Sequence, residues 1–247
     1  MARTKKNDSV IAVCVQEPTE DGSQMELGAI QGDSLRFLHQ AFITDTINHA
    51  LDADVDVRLY YAELPERERL VGIITEYLRK KSSGKRATAL KNRFQGVKLP
   101  MERWGLRIEK VFQDAFAAGY RHVLVIGSRT PTVKTDQMCR ALRMLRESDA
   151  VFGPTPEGRY YVIGMSSEYR VKLSEFDWKS PSIYHDVSNA FTEQELRWAE
   201  LEIWYCVEDP DELELMVRDI NQFRFEGDEL SARETELVIE RLLSRME

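Results

Sequence analysis

Two short stretches of charged and polar side chains stand out within residues 123–165. One follows an apolar, strand-like run at residues 123–127, and the other forms a glycine-containing turn before a second apolar run. Together they contain Ser128, Arg129, Glu157, Gly158 and Arg159. Guanidinium groups bind phosphate oxygens through paired hydrogen bonds, and a carboxylate can take a proton from a hydroxyl group. Because ligands of open α/β sheets bind at the carboxyl ends of strands, these stretches predict a ligand site at that edge.

Each of these candidates also has a simpler structural explanation. Glu157 is either a general base toward an acceptor hydroxyl or a solvated turn residue. Arg129 either faces a ligand or forms a surface ion pair. Tyr160 and Tyr161 open a strand and point to opposite faces, so one lines a sugar pocket or both only pack on the sheet. Trp178 lies in a predicted loop, where it is available to stack on an acceptor.

The elements that must position these residues follow from the spacing of apolar side chains. Apolar and alternating runs predict strands at residues 10–16, 55–61, 123–127, 150–153, 160–165 and 201–207. Helical spacing predicts helices starting at residue 33 and covering 66–81, 102–118, 132–147, 210–223 and 230–245. Residues 82–85 are predicted to be flexible and residues 166–189 irregular. The alternation of strands and helices predicts a three-layer αβα domain around a mostly parallel sheet.

Length and composition favour one domain over the whole chain. The 247 residues suffice for a single large α/β core, and the composition, 43% hydrophobic and 31% charged, is typical of globular proteins. Residues 1–9 are predicted to be disordered, and residues 224–247 to form a C-terminal helical extension. No apolar run reaches the roughly 20 residues that a transmembrane helix needs.

Charge and cysteine content indicate the compartment and the class of partner. The net charge of −8 disfavours a nucleic-acid-binding protein, which needs a basic surface. The basic residues within 79–98 form either an anion-facing loop or a solvated surface. The three cysteines, Cys14, Cys139 and Cys206, are widely spaced and fit a reducing environment. The polar first residues lack the apolar core of a secretory signal, which predicts a cytoplasmic protein.

Several common sites have no support in the sequence. The first strand is not followed by a GxGxxG motif, and no GxxxxGK[ST] motif occurs, which argues against a dinucleotide or P-loop site. Ser128 lacks the G-x-S-x-G context of a hydrolase nucleophile. No CxxC pair or Cys/His cluster suggests zinc.

With these features the chain resembles the GT-A-like nucleotide-diphospho-sugar transferases. It is most similar to a small bacterial group of glycosyltransferases related to phospholactate guanylyltransferase and the molybdenum-cofactor nucleotidyltransferases. The resemblance covers roughly residues 10–220 and is most specific at residues 124–164. The matching positions, in chain order, are 41–46, Gly105, Arg107, 111–112, 125–128, Pro131, 153–154, Gly158, 160–164, 204–205, Val207 and 209–210.

The chain departs from the family pattern at several charged positions. Arg129 stands where the family has an Asp that binds a divalent ion, Mg or Mn. Arg103 replaces an acidic residue that precedes the predicted helix containing Gly105. Glu157 and Arg159 stand in the family's Asp-Gly-Gly turn, where Glu157 is the one carboxylate left to bind a metal. Cys206 replaces an Asp. Residues 23–27 stand where the family has a Lys-Thr-Arg phosphate-handling stretch.

The resemblance implies transfer of a glycosyl or nucleotidyl group from a nucleotide-activated donor. The alternative is a catalytically inactive member that serves as a ligand-binding or protein-interaction scaffold. The predicted catalytic residues are Glu157 and Arg129, and the predicted substrate-binding residues are Ser128, Gly158, Arg159, Tyr160, Trp178 and Arg103. The family implies a divalent ion, Mg or Mn, but arginine does not bind metal. Either Arg129, with Arg159 and Arg103, replaces this cation, or the site has lost its chemistry and only binds a ligand, and no metal ligand set is predicted. The expected partner is a nucleotide or nucleotide-sugar, and the oligomeric state is left open.

Overall fold

The fold is an α/β sandwich in a computed structural model that describes residues 7–16, 25–167 and 171–244. The strands are β1 (Ser9–Cys14), β2 (Asp56–Ala62), β3 (Phe94–Leu99), β4 (His122–Gly127), β5 (Ala150–Pro154), β6 (Tyr160–Ser166) and β7 (Trp198–Glu200). The helices are α1 (Gly32–Asp52), α2 (Pro65–Lys81), α3 (Gly84–Arg93), α4 (Trp104–Ala117), α5 (Thr135–Met144), α6 (Ile183–Glu193), α7 (Pro210–Phe225) and α8 (Arg233–Leu243).

The strands of the described residues form one sheet in the order β3-β2-β1-β4-β6-β5-β7. All neighbouring pairs are parallel except those of β6, which runs antiparallel to both β4 and β5. At the centre, Ile11 of β1 lies opposite Leu124 of β4 on one side and Val57 of β2 on the other. The predicted mostly parallel α/β sheet is confirmed.

Helices cover both faces of the sheet, which makes the three predicted layers. Alternate residues of β1 point to opposite faces, so Ile11 packs with one layer and Val10 with the other. The first layer is supplied by α1, α2, α3 and α5, and the second by α4 and α6. Tyr161 and Tyr160 likewise pack on opposite faces, as the strand pattern predicts.

The clearest error of the sequence-based assignment lies between residues 201 and 207, where the predicted strand is wrong. The last strand is β7, three residues earlier, and the following chain leaves the sheet. Leu201 still donates to Phe152 O of β5 at 2.9 Å, but beyond it Trp204 donates to Pro154 O at 3.1 Å, at the end of β5, and Val207 to Arg129 O at 2.9 Å, two residues after β4. This extended segment therefore crosses the carboxyl edge of the sheet, where ligands of such folds bind.

Residues 82–99 are more regular than predicted. The stretch expected to be flexible starts α3 at Gly84, whose φ of +54° suits glycine, and α3 leads directly into β3. Acidic residues neutralise part of its basic surface, because Arg86 pairs with Asp52 and Arg93 with Asp54. The segment predicted as irregular, 166–189, also contains the start of α6.

The chain termini depart from their predicted boundaries. Ser9 is buried as the first residue of β1, so the predicted disorder is wrong at this position, and residues 1–6 lie outside the described residues. The predicted C-terminal extension starts within α7, and α8 then packs against α1.

Asp45 in the middle of α1 anchors α8. Its carboxylate oxygens accept the N–H groups of Glu234 at 3.1 Å and Thr235 at 2.8 Å, in the first turn of α8. Asp45 is buried, and this burial raises its pKa to about 7, although the hydrogen bonds from α8 act in the opposite direction. The folded protein therefore keeps a proton on Asp45 that the unfolded chain releases at about pH 4.

This pKa difference predicts a pH-dependent stability. The contribution of Asp45 is fully present below about pH 4 and is lost as the pH rises to about 7, because only the folded state retains the proton. Between about pH 4 and about pH 7, the free energy of unfolding of the wild type should therefore fall relative to that of Asp45→Asn, and it should level off above this range. Urea titrations of both proteins measure this difference, and parallel pH curves would contradict the assignment.

Candidate functional site

A cavity of about 1310 Å³ opens at the carboxyl edge of the sheet. Its walls come from the segments that follow β1, β3, β4 and β5, from the 174–179 loop, and from the segment before and into α7. The charged and aromatic residues on these walls are Arg67, Glu102, Arg103, Trp104, Arg129, Glu157, Arg159, Tyr160, Tyr161, Glu175, Phe176, Asp177, Trp178, Lys179, Glu208 and Glu212. Six of the eight predicted site residues therefore line one cavity.

Two arginines of the cavity wall converge on one carboxylate. Arg129 donates to Glu208 Oε1 at 3.0 Å, and Arg159 donates to Glu208 Oε2 at 2.6 Å. The Arg129 side chain is only 1% exposed, whereas Arg159 is 43% exposed and Glu208 21%. The ion pair considered for Arg129 is thus present, but it does not lie at the surface, because the Arg129 side chain is buried.

The extended segment before α7 places Glu208 between the arginines. Val207 N–H bonds to Arg129 O, and Glu208 N–H donates to Glu212 Oε2 at 2.7 Å. Asp209 and Glu212 form a capping box at the start of α7, which fixes this segment against the helix. The helix cap therefore also sets the position of the carboxylate that both guanidinium groups contact.

Glu212 itself lies on the cavity wall with an altered acidity. Burial raises its pKa to about 7, and the negative charges of Asp209 and Glu157 act in the same direction. The backbone N–H groups of Glu208 and Asp209 oppose this shift. Glu212 can therefore exchange a proton near neutral pH.

Ser128 and Gly158 do not line the cavity, contrary to the prediction that they contact the donor. Ser128 is fully buried, where its hydroxyl accepts the Gln16 N–H at 3.0 Å and lies 2.9 Å from His39 Nε2. Burial lowers the pKa of His39 to about 3, so this imidazole is neutral at physiological pH. Gly158, with a φ of +74°, forms a turn in which a Cβ would lie 2.5 Å from Pro181 O. Both residues shape the backbone behind the cavity.

The aromatic candidates line the cavity but are held by contacts within the protein. Trp178 donates its indole N–H to Leu173 O at 2.8 Å and is half-buried, so it is not the exposed loop residue expected from the sequence. Tyr160 donates its hydroxyl to Tyr184 O at 2.9 Å, and its ring contacts Trp178 at 6.1 Å between centroids. These two side chains therefore form a rigid apolar wall.

Two further basic side chains, Arg103 and Arg67, line the cavity. Arg103 is the N-cap residue of α4, and Arg67 of α2 faces the same space. Burial, followed by repulsion from Arg107, lowers the pKa of Arg67 to about 10, which still leaves it charged at neutral pH. Both side chains can donate hydrogen bonds to anionic groups in the cavity.

The residues present do not fit the divalent ion of the resembled family. A guanidinium occupies the strand end where the family has its Asp, and its hydrogen bond to Glu208 places a positive group where a cation would need carboxylates. Across residues 7–16, 25–167 and 171–244, no group of three or more His, Cys, Asp or Glu side chains is arranged to hold a metal.

Sequence reasoning missed Glu208, Glu212 and Arg67. The available signal was the D-P-x-E pattern at residues 209–212, which marks a helix start with a capping box and so places Glu208 immediately before a helix. The strand predicted at residues 201–207 hid this signal. A strand there would keep the chain before Glu208 within the sheet, and not across its carboxyl edge.

Comparison with known proteins agrees with this architecture. A family model described as an uncharacterized protein conserved in bacteria (DUF2064) matches residues 73–180, which include the β4 strand end and the β5–β6 turn. No curated protein is similar enough to this sequence to count as a match. Among the described residues, no helix has the length and apolar character needed to span a membrane.

Solved structures are similar over nearly the whole chain. A protein from Desulfovibrio desulfuricans G20, described as a candidate nucleotide-diphospho-sugar transferase, superimposes with a TM-score of 0.69 at 21% identity, covering 95% of this chain and 98% of the other. A nucleotidyl transferase from Methanothermobacter gives 0.53 at 13% identity, with 86% and 98% covered. The 4-diphosphocytidyl-2C-methyl-D-erythritol synthase of Anaerococcus prevotii gives 0.52 at 13%, with 87% and 95% covered.

At these identities the similarity establishes the fold, while the chemistry must be argued from the site. The order of the sheet, the antiparallel β6 and the cavity at the carboxyl edge agree with the resemblance seen in the sequence. The chain has the GT-A-like fold shared by nucleotide-diphospho-sugar transferases and nucleotidyltransferases.

Proposed function

We propose that this protein transfers a glycosyl or nucleotidyl group from a nucleotide-activated donor, with arginine side chains in place of a metal ion. The observation that carries the proposal is the convergence of Arg129 and Arg159 on one carboxylate in the cavity wall. Two guanidinium groups that donate hydrogen bonds to the two oxygens of Glu208 can also donate to two oxygens of a diphosphate. The diphosphate of the ligand is then expected to bind where the Glu208 carboxylate now lies.

The cavity can supply the charge that such a transfer needs. A diphosphate leaving group gains negative charge as its bond to the transferred group breaks, and fixed cations lower the free energy of that transition state. Arg129 is buried and Arg159 half-exposed, so the first is fixed and the second can adjust to the ligand. Arg103, Tyr160 and Trp178 are proposed to contact other parts of the donor or acceptor.

The second candidate function is a catalytically inactive binding scaffold. The observation that favours it is the same salt bridge, because Glu208 already satisfies part of the hydrogen-bonding capacity of both arginines. A ligand must displace Glu208 or share the guanidinium groups with it. Binding without turnover would support this alternative.

Thermal unfolding with nucleotides tests the donor class. Pyrophosphate and the diphosphates of uridine, guanosine, cytidine and adenosine are each added with EDTA or with manganese. A ligand at 100 times its dissociation constant stabilises by about 2.7 kcal/mol, which for a chain of this size raises the Tm by roughly 5–10 °C. We expect the shift for at least one nucleotide, and we expect EDTA to leave it unchanged.

Paired arginine variants identify where the ligand binds. Arg159→Ala should abolish the shift, whereas Arg218→Ala, which removes an exposed α7 arginine paired with Glu214, should preserve it. If no nucleotide shifts the Tm of the wild type, the proposed donor class is wrong. A shift that requires manganese would show that a metal, not the arginine pair, binds the diphosphate.

A further inference from the structure

Glu212 has one carboxylate oxygen held by the backbone and the other available to the cavity. Its Oε2 accepts the N–H groups of Glu208 at 2.7 Å and Asp209 at 3.1 Å. Among the described residues, no hydrogen bond reaches Oε1, and the side chain forms part of the cavity wall. The helix cap thus fixes the carboxyl group while leaving Oε1 for a ligand.

The charged groups around Glu212 are mixed in sign. Its own helix contributes Asp209, and the β5–β6 turn contributes Glu157, whose negative charge raises the pKa of Glu212. Glu208 precedes it and is neutralised by Arg129 and Arg159. A partly desolvated carboxyl group in this setting is a better proton acceptor than a fully solvated one.

Glu157, the base expected from the sequence, is positioned less firmly. It lies in the exposed turn between β5 and β6, whereas Glu212 is half-buried and bonded to two backbone groups. A general base works best when its geometry is fixed relative to the reacting hydroxyl. Glu208 donates its N–H to Glu212 and holds Arg129 and Arg159 with its carboxylate, so a reacting group beside the arginine pair can also lie within reach of Glu212.

We propose that Glu212 is the catalytic base of the transfer reaction, an inference that rests on the proposed function. Its Oε1 takes the proton of the acceptor hydroxyl while that hydroxyl oxygen forms a bond to the transferred carbon or phosphorus atom. The bond from this atom to the leaving phosphate oxygen breaks, and its electron pair stays on the phosphate, next to Arg129 and Arg159. The acceptor is therefore a hydroxyl compound, or water in its absence.

The test compares Glu212→Gln with Asp211→Asn. Glutamine also completes a capping box at this position, so Glu212→Gln should fold, while it removes the proton acceptor. Asp211 is an exposed neighbour in the same helical turn and serves as the control. The probes are a panel of nucleoside diphosphate sugars and nucleoside triphosphates, with release of the nucleoside diphosphate or of pyrophosphate measured and water as the acceptor.

We expect the wild-type rate to rise with pH through the neutral range and then level off. Glu212→Gln should lower the rate by about 10²- to 10⁴-fold and abolish this rise, while nucleoside diphosphate affinity changes less than about threefold. Asp211→Asn should retain both rate and pH profile. The nucleoside diphosphate affinity and the Tm of each variant serve as the check that its cavity is intact.

The experiment distinguishes failure of the proposed transfer function from failure of the Glu212 assignment. If no nucleotide binds to the wild type, the proposed function fails and the base assignment fails with it. If nucleotides bind but Glu212→Gln keeps the wild-type rate and pH profile, only the assignment of Glu212 is wrong. It is also wrong if Glu157→Gln, rather than Glu212→Gln, removes the rise with pH, or if the wild type binds but releases nothing at any pH.

Discussion

Arg129→Ala should produce a large loss of stability and abolish pyrophosphate binding. We expect the free energy of unfolding to fall by about 3 kcal/mol, the low end of the range for breaking a buried ion pair, because Glu208 retains some exposure and a second partner. The guanidinium is 1% exposed, so its removal also leaves a void in the wall. Urea unfolding and calorimetric titration with pyrophosphate measure the two effects.

Arg159→Ala provides the matched comparison, since it pairs with the same carboxylate. Its side chain is 43% exposed, so its ion pair should contribute at most about 1 kcal/mol to stability. Pyrophosphate binding should nevertheless be lost, because the grip on two oxygens requires both guanidinium groups. Equal destabilisation by the two substitutions would contradict the different burial of the two arginines.

A double substitution separates the charge from the packing of Arg129. In Arg129→Ala with Glu208→Gln, the carboxylate left by the first change is neutral, so part of the lost stability should return. If the two losses add instead, the unpaired charge of Glu208 does not cause the destabilisation. The coupling free energy between positions 129 and 208 thus measures how much the burial of the Glu208 charge depends on Arg129.

The sequence predicted that residues 128–129 and 157–160 share one edge of the sheet, but not the antiparallel strand that brings them there, nor which side chains pair. Arg129 follows β4 and Arg159 precedes β6, and because β4 and β6 are antiparallel neighbours these ends share one edge of the sheet. Strand periodicity also predicted the opposite faces of Tyr160 and Tyr161. These features depend on local pattern and on the general architecture of α/β sheets.

The pairing of Arg129 with Glu208 joins residues 79 positions apart and depends on where one extended segment runs. Residues 201–207 have the apolar character of a strand, yet after Leu201 their backbone bonds to Pro154 at the end of β5 and to Arg129, two residues beyond β4, instead of continuing the ladder. No local preference distinguishes these two outcomes. The same segment places Glu212, so the candidate base became visible only with the tertiary structure.

The wall formed by Trp178 depends on a glycine in the first turn of α4. A Cβ on Gly105 would lie 2.3 Å from Trp178 Nε1 and 2.9 Å from Leu173 O, which is closer than van der Waals contact allows. The backbone carbonyl cannot yield easily, so an added methyl group must displace the indole. This close approach explains why glycine is needed within a helix, where it otherwise lowers stability.

Gly105→Ala should therefore destabilise the protein by about 2–4 kcal/mol, which combines overpacking with loss of the Trp178 hydrogen bond to Leu173. Gly72→Ala is the matched control, because Gly72 lies within α2 with no atom within 4 Å of an added Cβ. That change should stabilise by about 0.5–1 kcal/mol through helix propensity. Urea unfolding measures both.

Nucleotide affinity should also differ between Gly105→Ala and Gly72→Ala. Trp178 and the first turn of α4 line the cavity, so Gly105→Ala should weaken nucleotide binding at a temperature where the variant is still folded, while Gly72→Ala should leave it unchanged. Acrylamide quenching should show a more exposed tryptophan only in Gly105→Ala. A variant that loses stability but binds nucleotide normally would mean that the Trp178 wall supports the fold without contacting the ligand.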